Sequence, residues 1–251
     1  MAATDTILQA RGLVKAFGGF TVVDGVDLDV RRHSIHALIG PNGAGKTTVF
    51  NLLTRFLEPT AGSIRFNGDE ITKLEASEVA RRGLVRSFQI SSVFPHLSAR
   101  ENVRLGLQRK RGDSFHFLRP AASLAALDAR ASELLAAVGL AGFEEAQAVE
   151  LPYGRKRALE LATTLALEPE LMLLDEPMAG LGREDIQRMT ALIRQVAQGR
   201  TVLIVEHNLK VIADLSDTVT VLARGRVLAQ GGYTEVASHP AVQEAYLGVE
   251  A

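Results

Sequence analysis

A glycine-rich segment, Gly40-Pro-Asn-Gly-Ala-Gly-Lys-Thr47, is the feature that most restricts what this chain can fold into. It fits the pattern G-x-x-x-x-G-K-S/T and lies between the apolar run Ile35–Ile39 and a stretch of helical spacing from Lys46 to Phe56. Its glycines let backbone N–H groups converge on phosphate oxygens, and the start of the following helix adds positive potential. The sequence therefore predicts a phosphate-binding loop between a strand and a helix.

Two residues of this loop, Lys46 and Thr47, have side chains suited to separate roles in a nucleoside triphosphate site. Lys46 would reach the β- and γ-phosphates, and Thr47 would offer its hydroxyl to Mg²⁺. A glycine-rich turn that only caps a helix would not account for Lys46. The other residues expected around the phosphates are Gly40, Pro41, Asn42, Gly43, Ala44, Gly45 and Thr48.

Two acids follow a second apolar run, Leu171 to Leu174. Side chains at the carboxyl edge of a parallel sheet face the ligand, so Asp175 and Glu176 are predicted beside the phosphates. Asp175 would hold Mg²⁺ through water, and Glu176 would orient and polarise the attacking water. Paired acids at a strand end are also common as solvated loop residues, and the phosphate loop upstream favours the functional interpretation.

Two further polar residues come after apolar strands. The run Thr201–Val205 ends in Glu206-His207, which brings the imidazole of His207 to the same sheet edge. Gln89 follows a predicted strand from Leu84 to Phe88 and could supply a neutral amide to the metal and the water. Spacing alone does not separate this role from that of an exposed loop glutamine.

The rest of the pattern predicts an α/β fold with an N-terminal β layer and an inserted helical subdomain. Val22 to Val30 alternates apolar and polar residues, Ser63 to Phe66 ends in the turn Asn67-Gly68, and helical spacing begins near Glu101. We expect one domain over residues 1–251, with a nucleotide-binding core at 1–92 and 151–251 and a helical subdomain at about 93–150. The later helices are predicted at Gly154 to Leu167, Glu184 to Gln198 and Asn208 to Leu215.

Composition excludes several classes of protein. A net charge of -1 with interspersed charges gives no basis for wrapping nucleic acid. The basic stretch Arg109-Lys-Arg111 could contact lipid headgroups or a membrane partner, but the pattern favours a solvated charged face. The chain has no cysteine and no apolar stretch near the roughly 20 residues that span a bilayer. We therefore expect a cytosolic protein whose membrane role, if any, depends on contact with another chain.

The order of these motifs resembles the nucleotide-binding subunits of ABC transporters, over nearly the whole chain. Within that family, the Tyr-Gly form of the segment near 153 and the C-terminal run from His239 to Gly248 resemble the ATPases of branched-chain amino acid importers. The segments that carry the resemblance are Gly40 to Thr48, Arg86-Ser-Phe-Gln89, Val93-Phe-Pro95, Leu151-Pro-Tyr-Gly-Arg155, Leu173-Leu-Asp-Glu176, Ala179-Gly-Leu-Gly182 and Glu206-His207.

The resemblance implies a P-loop NTPase core that hydrolyses ATP with Mg²⁺, and two ATPase subunits that close head to tail around two ATP molecules. Gly154, at the start of its helix, would face the γ-phosphate of the other subunit's ATP. Gln89 would lie at the hinge between the core and the helical subdomain, where it would sense the γ-phosphate and ligate Mg²⁺. His207 would contact the γ-phosphate directly, and Phe17 would stack on adenine.

The resemblance also implies partners and a location. The partners are membrane-spanning permease subunits, a second ATPase chain of the same or a paralogous kind and, indirectly, a solute-binding protein, but not nucleic acid. The subunit would be cytoplasmic and peripheral on the inner face of the cell membrane, and it would power uptake of branched-chain or related hydrophobic amino acids.

The chain departs from the family pattern at three places. Pro152 and Tyr153 stand where most members have a serine and a glycine, and Arg155 replaces the usual glutamine. Gly182 stands where an Asp or Asn is common, which removes a polar contact between subunits. The signature segment, Leu151 to Arg155, therefore lacks the serine hydroxyl that would contact the γ-phosphate.

Two other functions fit the phosphate loop. One is an ABC-type ATPase that acts on DNA or ribosomes, but such proteins carry coiled-coil insertions, a second ATPase domain or basic surfaces, and this chain has none of these. The other is a kinase of small molecules, which would need an acceptor pocket and no second chain. The signature segment argues against the kinase.

Overall fold

The structure is a computed structural model that describes residues 5–87, 93–111 and 121–247. The described residues fall into two units. The first comprises the chain up to Arg86, Glu170–Glu176 and the chain from Ala197 onward, and the second comprises the described residues from Ser87 to Pro169 with Pro177–Val196.

The strands of the described chain form two sheets of four and six strands. Their bounds are β1 Thr6–Phe17, β2 Phe20–Arg31, β3 Ile35–Ile39, β4 Ala61–Phe66, β5 Asp69–Glu70, β6 Leu84–Ser87, β7 Leu171–Asp175, β8 Thr201–Val205, β9 Thr218–Ala223 and β10 Arg226–Gly231.

The six-stranded sheet of the first unit has the strand order β10-β9-β3-β8-β7-β6. Strands β3, β7 and β8 are short apolar runs in which every residue is buried. They pair in parallel, with β3 between β8 and β9, as expected for strands covered on both faces. All three strands lie where their apolar runs predict them.

The second sheet is antiparallel and has the order β2-β1-β4-β5. The alternation from Val22 to Val30 predicts β2, and the strand extends from Phe20 to Arg31 with inward residues such as Val26 and Leu28 buried. Both sheets and helix α1, Lys46–Leu53, contribute to one apolar core in this unit. The predicted N-terminal β layer is confirmed.

Helix α1 is shorter than the sequence predicts. The spacing predicts a helix to Phe56, but the helix ends at Leu53 because Arg55 adopts a left-handed backbone with φ 60°. The hydroxyl of Thr54 donates to the carbonyl of Phe50 at 2.7 Å, which satisfies one of the carbonyls at the helix end. The remaining helices of this unit are α2 Ala76–Arg81, α7 Leu209–Leu215, α8 Tyr233–Ala237 and α9 Pro240–Leu247.

The second unit is helical. Its helices are α3 Ala99–Arg111, α4 Ala121–Ala137, α5 Tyr153–Leu165 and α6 Arg183–Val196, with one 3-10 turn at Ala148–Glu150. Helix α3 packs on α4 and α5, and α5 packs on α6. Across the described ranges, no helix is both long and apolar enough to cross a membrane.

One buried histidine lies in the central sheet. His36 of β3 is 1% exposed, and its Nε2 is 2.8 Å from the hydroxyl of Thr220 on the neighbouring strand β9. The pKa of His36 is lowered from 6.5 to about 4, mainly by burial and in addition by the charge of Arg31, while the charge of Asp29 acts in the opposite direction. The imidazole is therefore neutral at physiological pH.

Candidate nucleotide-binding site

The glycine-rich segment connects β3 to α1, as its sequence predicts. Gly40 begins it with φ 150°, and a Cβ on this residue would lie 2.1 Å from the carbonyl oxygen of Leu222. Only glycine fits this close approach to β9, because any side chain would overlap the carbonyl of Leu222.

Helix α1 starts directly after the loop, and Gly45 precedes it in a left-handed conformation. The first turn of α1 carries no acidic residue, and Thr47 in that turn is exposed. The free N–H groups and the dipole at this helix end favour an anion. The loop and helix together have the geometry of a phosphate site.

Lys46 points back into the loop. Its Nζ donates to the carbonyl oxygens of Gly40 at 2.7 Å and Pro41 at 3.0 Å. Burial lowers the pKa of Lys46, and the carboxylates of Glu176 and Asp175 oppose this shift. The structure thus brings the predicted loop lysine and the two predicted acids into one electrostatic neighbourhood.

The two acids occupy the end of β7. Asp175 is 3% exposed, and it lies opposite Val205 in the parallel pairing of β7 with β8. Glu176 follows with a left-handed φ of 48°, and its N–H donates to the carbonyl of Val205 at 2.9 Å. A left-handed backbone costs a non-glycine residue about 1 to 2 kcal/mol and is concentrated at functional sites.

A buried ion pair that the sequence does not reveal fixes the side chain of Asp175. Nη2 of Arg86 donates to Oδ2 of Asp175 at 2.5 Å, and Nη1 of Arg86 donates to the side chain of Asn51 on α1. The guanidinium also lies 5.8 Å from the ring centre of Phe50. The signal that could have found Arg86 is its position three residues before Gln89, at the end of β6.

Strand β8 delivers Glu206 and His207 to the same sheet edge. Glu206 is 1% exposed, and its carboxylate accepts from the backbone N–H groups of His207 at 3.1 Å and Asn208 at 3.4 Å. The side chain of Asn208 then caps α7. This anchoring leaves His207 exposed at the end of the strand, and its contact with a γ-phosphate stays a prediction.

Phe17 and Gln89 are the two other residues predicted to contact the nucleotide or its metal, and only Phe17 lies among the described residues. Phe17 ends β1 and is 45% exposed, and Nζ of Lys15 lies 5.0 Å from its ring centre. That ring is accessible for stacking on a base, a role that stays a prediction. Gln89 lies outside the described residues.

The signature segment opens α5 in the second unit. Leu151 is buried, Pro152 occupies the N-cap position, and Gly154 is half-buried in the first turn. Arg155, which replaces the glutamine of the family pattern, places its guanidinium 3.9 Å from the ring centre of Phe143. The aromatic ring therefore holds this extra cation in a cation–π contact.

A metal at this edge would depend on few protein ligands. Within the described residues, no three His, Cys, Asp or Glu side chains come together as a metal cluster. Mg²⁺ is usually bound through one or two protein oxygens together with water and substrate phosphates. The hydroxyl of Thr47 and the carboxylate of Asp175 suit that kind of site.

Comparisons with known proteins agree with this geometry. A family model described as "ABC transporter" matches residues 23–179, and one described as "Branched-chain amino acid ATP-binding cassette transporter" matches residues 226–251. The chain therefore belongs to the ABC transporter family and is an ATP-hydrolysing, nucleotide-binding member of it. The predictions of the family, the α/β P-loop fold and nucleotide binding are confirmed.

Within the ABC transporter family, the chain is similar to ATP-binding proteins of branched-chain amino acid transport. BraF of Pseudomonas aeruginosa, a high-affinity branched-chain amino acid transport ATP-binding protein, is 39% identical over 96% of this chain and 98% of its own length. LivG of Salmonella typhimurium, which has the same description, is 39% identical with the same coverage. The crystal structure of the ADP conformation of MJ1267, an ATP-binding cassette of an ABC transporter, superposes with a TM-score of 0.84 at 28% identity, covering 97% of this chain and 99% of that chain.

Proposed function

We propose that this chain powers the import of a branched-chain or related hydrophobic amino acid. The observation that carries the proposal is the similarity to transport ATPases of that class along almost the full length, including the C-terminal segment 226–251. The chain would act as a peripheral subunit on the cytoplasmic face of the membrane, bound to permease subunits. A solute-binding protein would deliver the amino acid.

Lys46 binds the β- and γ-phosphates in this proposal. In the structure its ammonium donates to the carbonyl groups of Gly40 and Pro41, which holds it in the loop. Phosphate oxygens carry more negative charge than these carbonyls, so they replace them as acceptors when ATP binds. Burial strengthens this attraction, because Lys46 is only 9% exposed.

Mg²⁺ would be held by Thr47 and Asp175, with Gln89 as a further ligand. When bound, it offsets charge on the phosphates. The ion pair with Arg86 fixes the buried carboxylate of Asp175 before ATP and Mg²⁺ bind. Asn51 in turn holds the guanidinium.

Glu176 polarises the attacking water. Its position directly after Asp175 brings a second carboxylate to the sheet edge, and the bond from its N–H to Val205 fixes the backbone there. The water attacks the γ-phosphorus, and its proton passes to the Glu176 carboxylate as the bond to the β-phosphate oxygen breaks. His207 would contact the γ-phosphate and stabilise the charge that develops.

Each ATP would be enclosed by two subunits. Gly154 and the start of α5 of one subunit would face the γ-phosphate of the ATP held by the other, because a helix N-terminus favours an anion. Closure on ATP would move the permeases, and hydrolysis would reset them. The second ATPase chain would be a copy of this chain or a paralogue.

The test is isolation of the tagged chain from detergent-solubilised membranes of its own cells. We expect permease subunits to copurify, and we expect the ATPase rate in proteoliposomes to rise with a binding protein loaded with leucine, isoleucine or valine. Arginine and ribose serve as control solutes. Copurification of ribosomes or nucleic acid without permeases, or stimulation by the control solutes alone, would contradict the proposal.

A further inference from the structure

The signature segment is tied to the loop that follows Glu176 by one side chain. The hydroxyl of Tyr153, the first residue of α5, donates to the carbonyl oxygen of Ala179 at 3.1 Å. Ala179 lies three residues after Glu176 in the chain, within the segment 177–182 that leads to α6. The bond connects two motifs separated by 26 residues in sequence.

The ring of Tyr153 also packs against this loop. Gly180 has φ 76°, and a Cβ there would lie 3.1 Å from Cε1 and 3.3 Å from the hydroxyl oxygen of Tyr153. A side chain at position 180 would therefore be strained by its backbone and would press on the ring. Glycine at 180 is what allows the tyrosine to reach Ala179.

One member of a buried ion pair also contacts Tyr153. Nε of Arg157 donates to the Tyr153 hydroxyl at 3.2 Å, and its guanidinium carbon lies 5.3 Å from the ring centre. Nη1 of Arg157 donates to Oε2 of Glu160 at 2.9 Å, with both side chains less than a tenth exposed. Burial lowers the pKa of Arg157, but the interactions with Glu160 and, to a smaller extent, with Tyr153 outweigh it and keep that pKa above its ordinary value.

This pair is not an efficient way to stabilise a helix. Burying two charges costs several kcal/mol per ion, and apolar residues of similar volume often stabilise a core as well or better. The second carboxylate oxygen of Glu160 is buried with no hydrogen-bond partner among the described residues, which adds to the cost. What the pair provides is a fixed orientation of Arg157, and through it of the Tyr153 hydroxyl.

We propose that Tyr153 is a positioning residue that locks the loop 177–182 to the start of α5, so that both reach the other subunit's ATP as one rigid piece. The proposal rests on the proposed function, in which the start of α5 meets that ATP. The resemblance to the family implies that the loop carrying Gly182 lies at the same contact between subunits. Pro152 and Gly182 offer no polar side chain in either segment. The hydrogen bond from the Tyr153 hydroxyl to Ala179 links the two segments within one subunit, where their own contacts to the other subunit are reduced.

The first experiment needs no assumption about function. Tyr153→Phe keeps the ring against Gly180 and removes only the hydroxyl and its two hydrogen bonds. Hydrogen exchange of the amides in 177–182 should become about three- to tenfold faster, as expected for the loss of the one neutral hydrogen bond that joins this loop to Tyr153. Tyr233→Phe on α8, in the other unit, is the matched control and should leave this loop unchanged. Unchanged exchange in Tyr153→Phe would overturn the proposal.

The second experiment measures the consequence for ATP in the assembled transporter. We expect Tyr153→Phe to lower kcat about three- to tenfold while the KM for ATP stays the same, because the loop acts when the subunits close and not when ATP first binds. If wild-type and Tyr153→Phe complexes turn over equally, the positioning role is wrong. If the wild-type complex itself shows no ATP turnover, the proposed function fails, whatever the exchange data show.

A double variant separates positioning from simple stability. Arg157→Met with Glu160→Leu replaces the buried pair by apolar side chains of similar size, which should leave the unfolding midpoint the same or higher. A positioning role predicts that this stable variant still shows faster exchange in 177–182 and a reduced kcat, as Tyr153→Phe does. Normal exchange and normal kcat in the double variant would show that the pair has no part in holding Tyr153.

Discussion

Asp175 is held by Arg86 through a hydrogen bond of 2.5 Å, and the two side chains are 1% and 8% exposed. The proposed Mg²⁺ ligand therefore already has a positive partner before nucleotide binds. Asn51 on α1 bonds the same guanidinium, so the end of β6, the end of β7 and the helix after the phosphate loop share one polar cluster. Any cation that approaches Asp175 must share its carboxylate with Arg86.

Replacing Arg86 by glutamine should destabilise the protein when no nucleotide is present. The change leaves the Asp175 carboxylate buried without its ion-pair partner, which costs about 3 to 5 kcal/mol. Mg²⁺ with ATP should return a positive charge to Asp175, so ligand should stabilise Arg86→Gln more than it stabilises the wild type. Urea unfolding with and without Mg·ATP measures both effects.

The matched control is Arg11→Gln. Arg11 also bonds an aspartate, Asp29, but this pair is about half exposed and contributes at most about 1 kcal/mol. An Arg86→Gln protein no less stable than Arg11→Gln would contradict the buried ion pair. An equal gain from ATP with EDTA and from Mg·ATP would contradict the link to the metal.

Glu176→Gln should separate ATP binding from hydrolysis. The amide keeps the size of the side chain and the same left-handed backbone at φ 48°, but it cannot take a proton from water. We expect ATP affinity to stay within about twofold and phosphate release to fall about 10²- to 10⁴-fold. Near-normal turnover in the complex with permeases would show that another group polarises the water. Glu184→Gln, at an exposed position on α6, is the control.

The elements that sequence predicts best are those whose burial is uniform. The observed bounds of β3 and β8, Ile35–Ile39 and Thr201–Val205, coincide with their apolar runs because every residue in each is covered on both faces. Strand β7 is also buried along its whole length, so its end, and with it the position of Asp175 and Glu176 at the sheet edge, could be predicted. Helix ends were less predictable: α5 was expected to reach Leu167 and ends at Leu165, shortly before Glu168 adopts φ 47°.

The contacts that sequence could not predict are those that depend on tertiary packing. Arg86 and Asp175 are 89 residues apart, and no local spacing indicates that their side chains meet. The bond from Tyr153 to Ala179 is of the same kind, since nothing in the sequence around Tyr153 indicates a contact with a residue 26 positions away. Individual elements after Leu215, including β9 and β10, were not predicted. In β10 no residue is fully buried, which weakens the apolar signal, and in β9 the buried Thr220 interrupts the apolar run.

Acid should destabilise the central sheet through His36. Its pKa is about 4 in the folded protein and near 6.5 when unfolded, so between these values the unfolded chain binds the extra proton. The stability is therefore present above pH 6.5 and is lost as pH falls toward 4. We expect this residue alone to cost about 2 kcal/mol between pH 7.5 and pH 5.

Urea unfolding of the wild type and His36→Gln at both pH values tests this expectation. The carboxylates of the chain contribute alike to both proteins, so the difference between them isolates His36. His36→Gln should lose about 2 kcal/mol less than the wild type on acidification. His96→Gln, at an exposed position, should lose as much as the wild type. A parallel loss in His36→Gln would show that this imidazole is not what makes the sheet sensitive to acid.

Pro152→Ser should strengthen ATP-dependent dimerisation if a hydroxyl at this position reaches the other subunit's γ-phosphate. Proline gives that phosphate neither a hydroxyl nor an N–H group, and one hydrogen bond to a charged group contributes about 1.5 to 3 kcal/mol. Pro152 occupies the N-cap, one residue before α5 begins at Tyr153.

The N-cap position adds a second effect that the experiment must separate from the first. Serine is a favoured N-cap, so Pro152→Ser should also stabilise α5 within each subunit, by about 0.5 to 2 kcal/mol. We expect both a higher unfolding midpoint without nucleotide and a larger dimer fraction with ATP. Asparagine is as good a helix cap as serine but has no hydroxyl. Pro152→Asn should therefore raise the unfolding midpoint as much as Pro152→Ser does, but it should raise the dimer fraction with ATP by less. Pro152→Ala reports the loss of proline alone.

Sedimentation of these variants in the Glu176→Gln background, with ATP and across a concentration series, measures the dimer fraction directly. If the phosphate contact forms, Pro152→Ser should dimerise about tenfold more tightly than the parent and clearly more tightly than Pro152→Asn. Equal dimer fractions for the serine and asparagine variants would show that position 152 acts through the helix end and not through the γ-phosphate. Equal fractions for all four proteins would show that position 152 contributes nothing to the closed dimer.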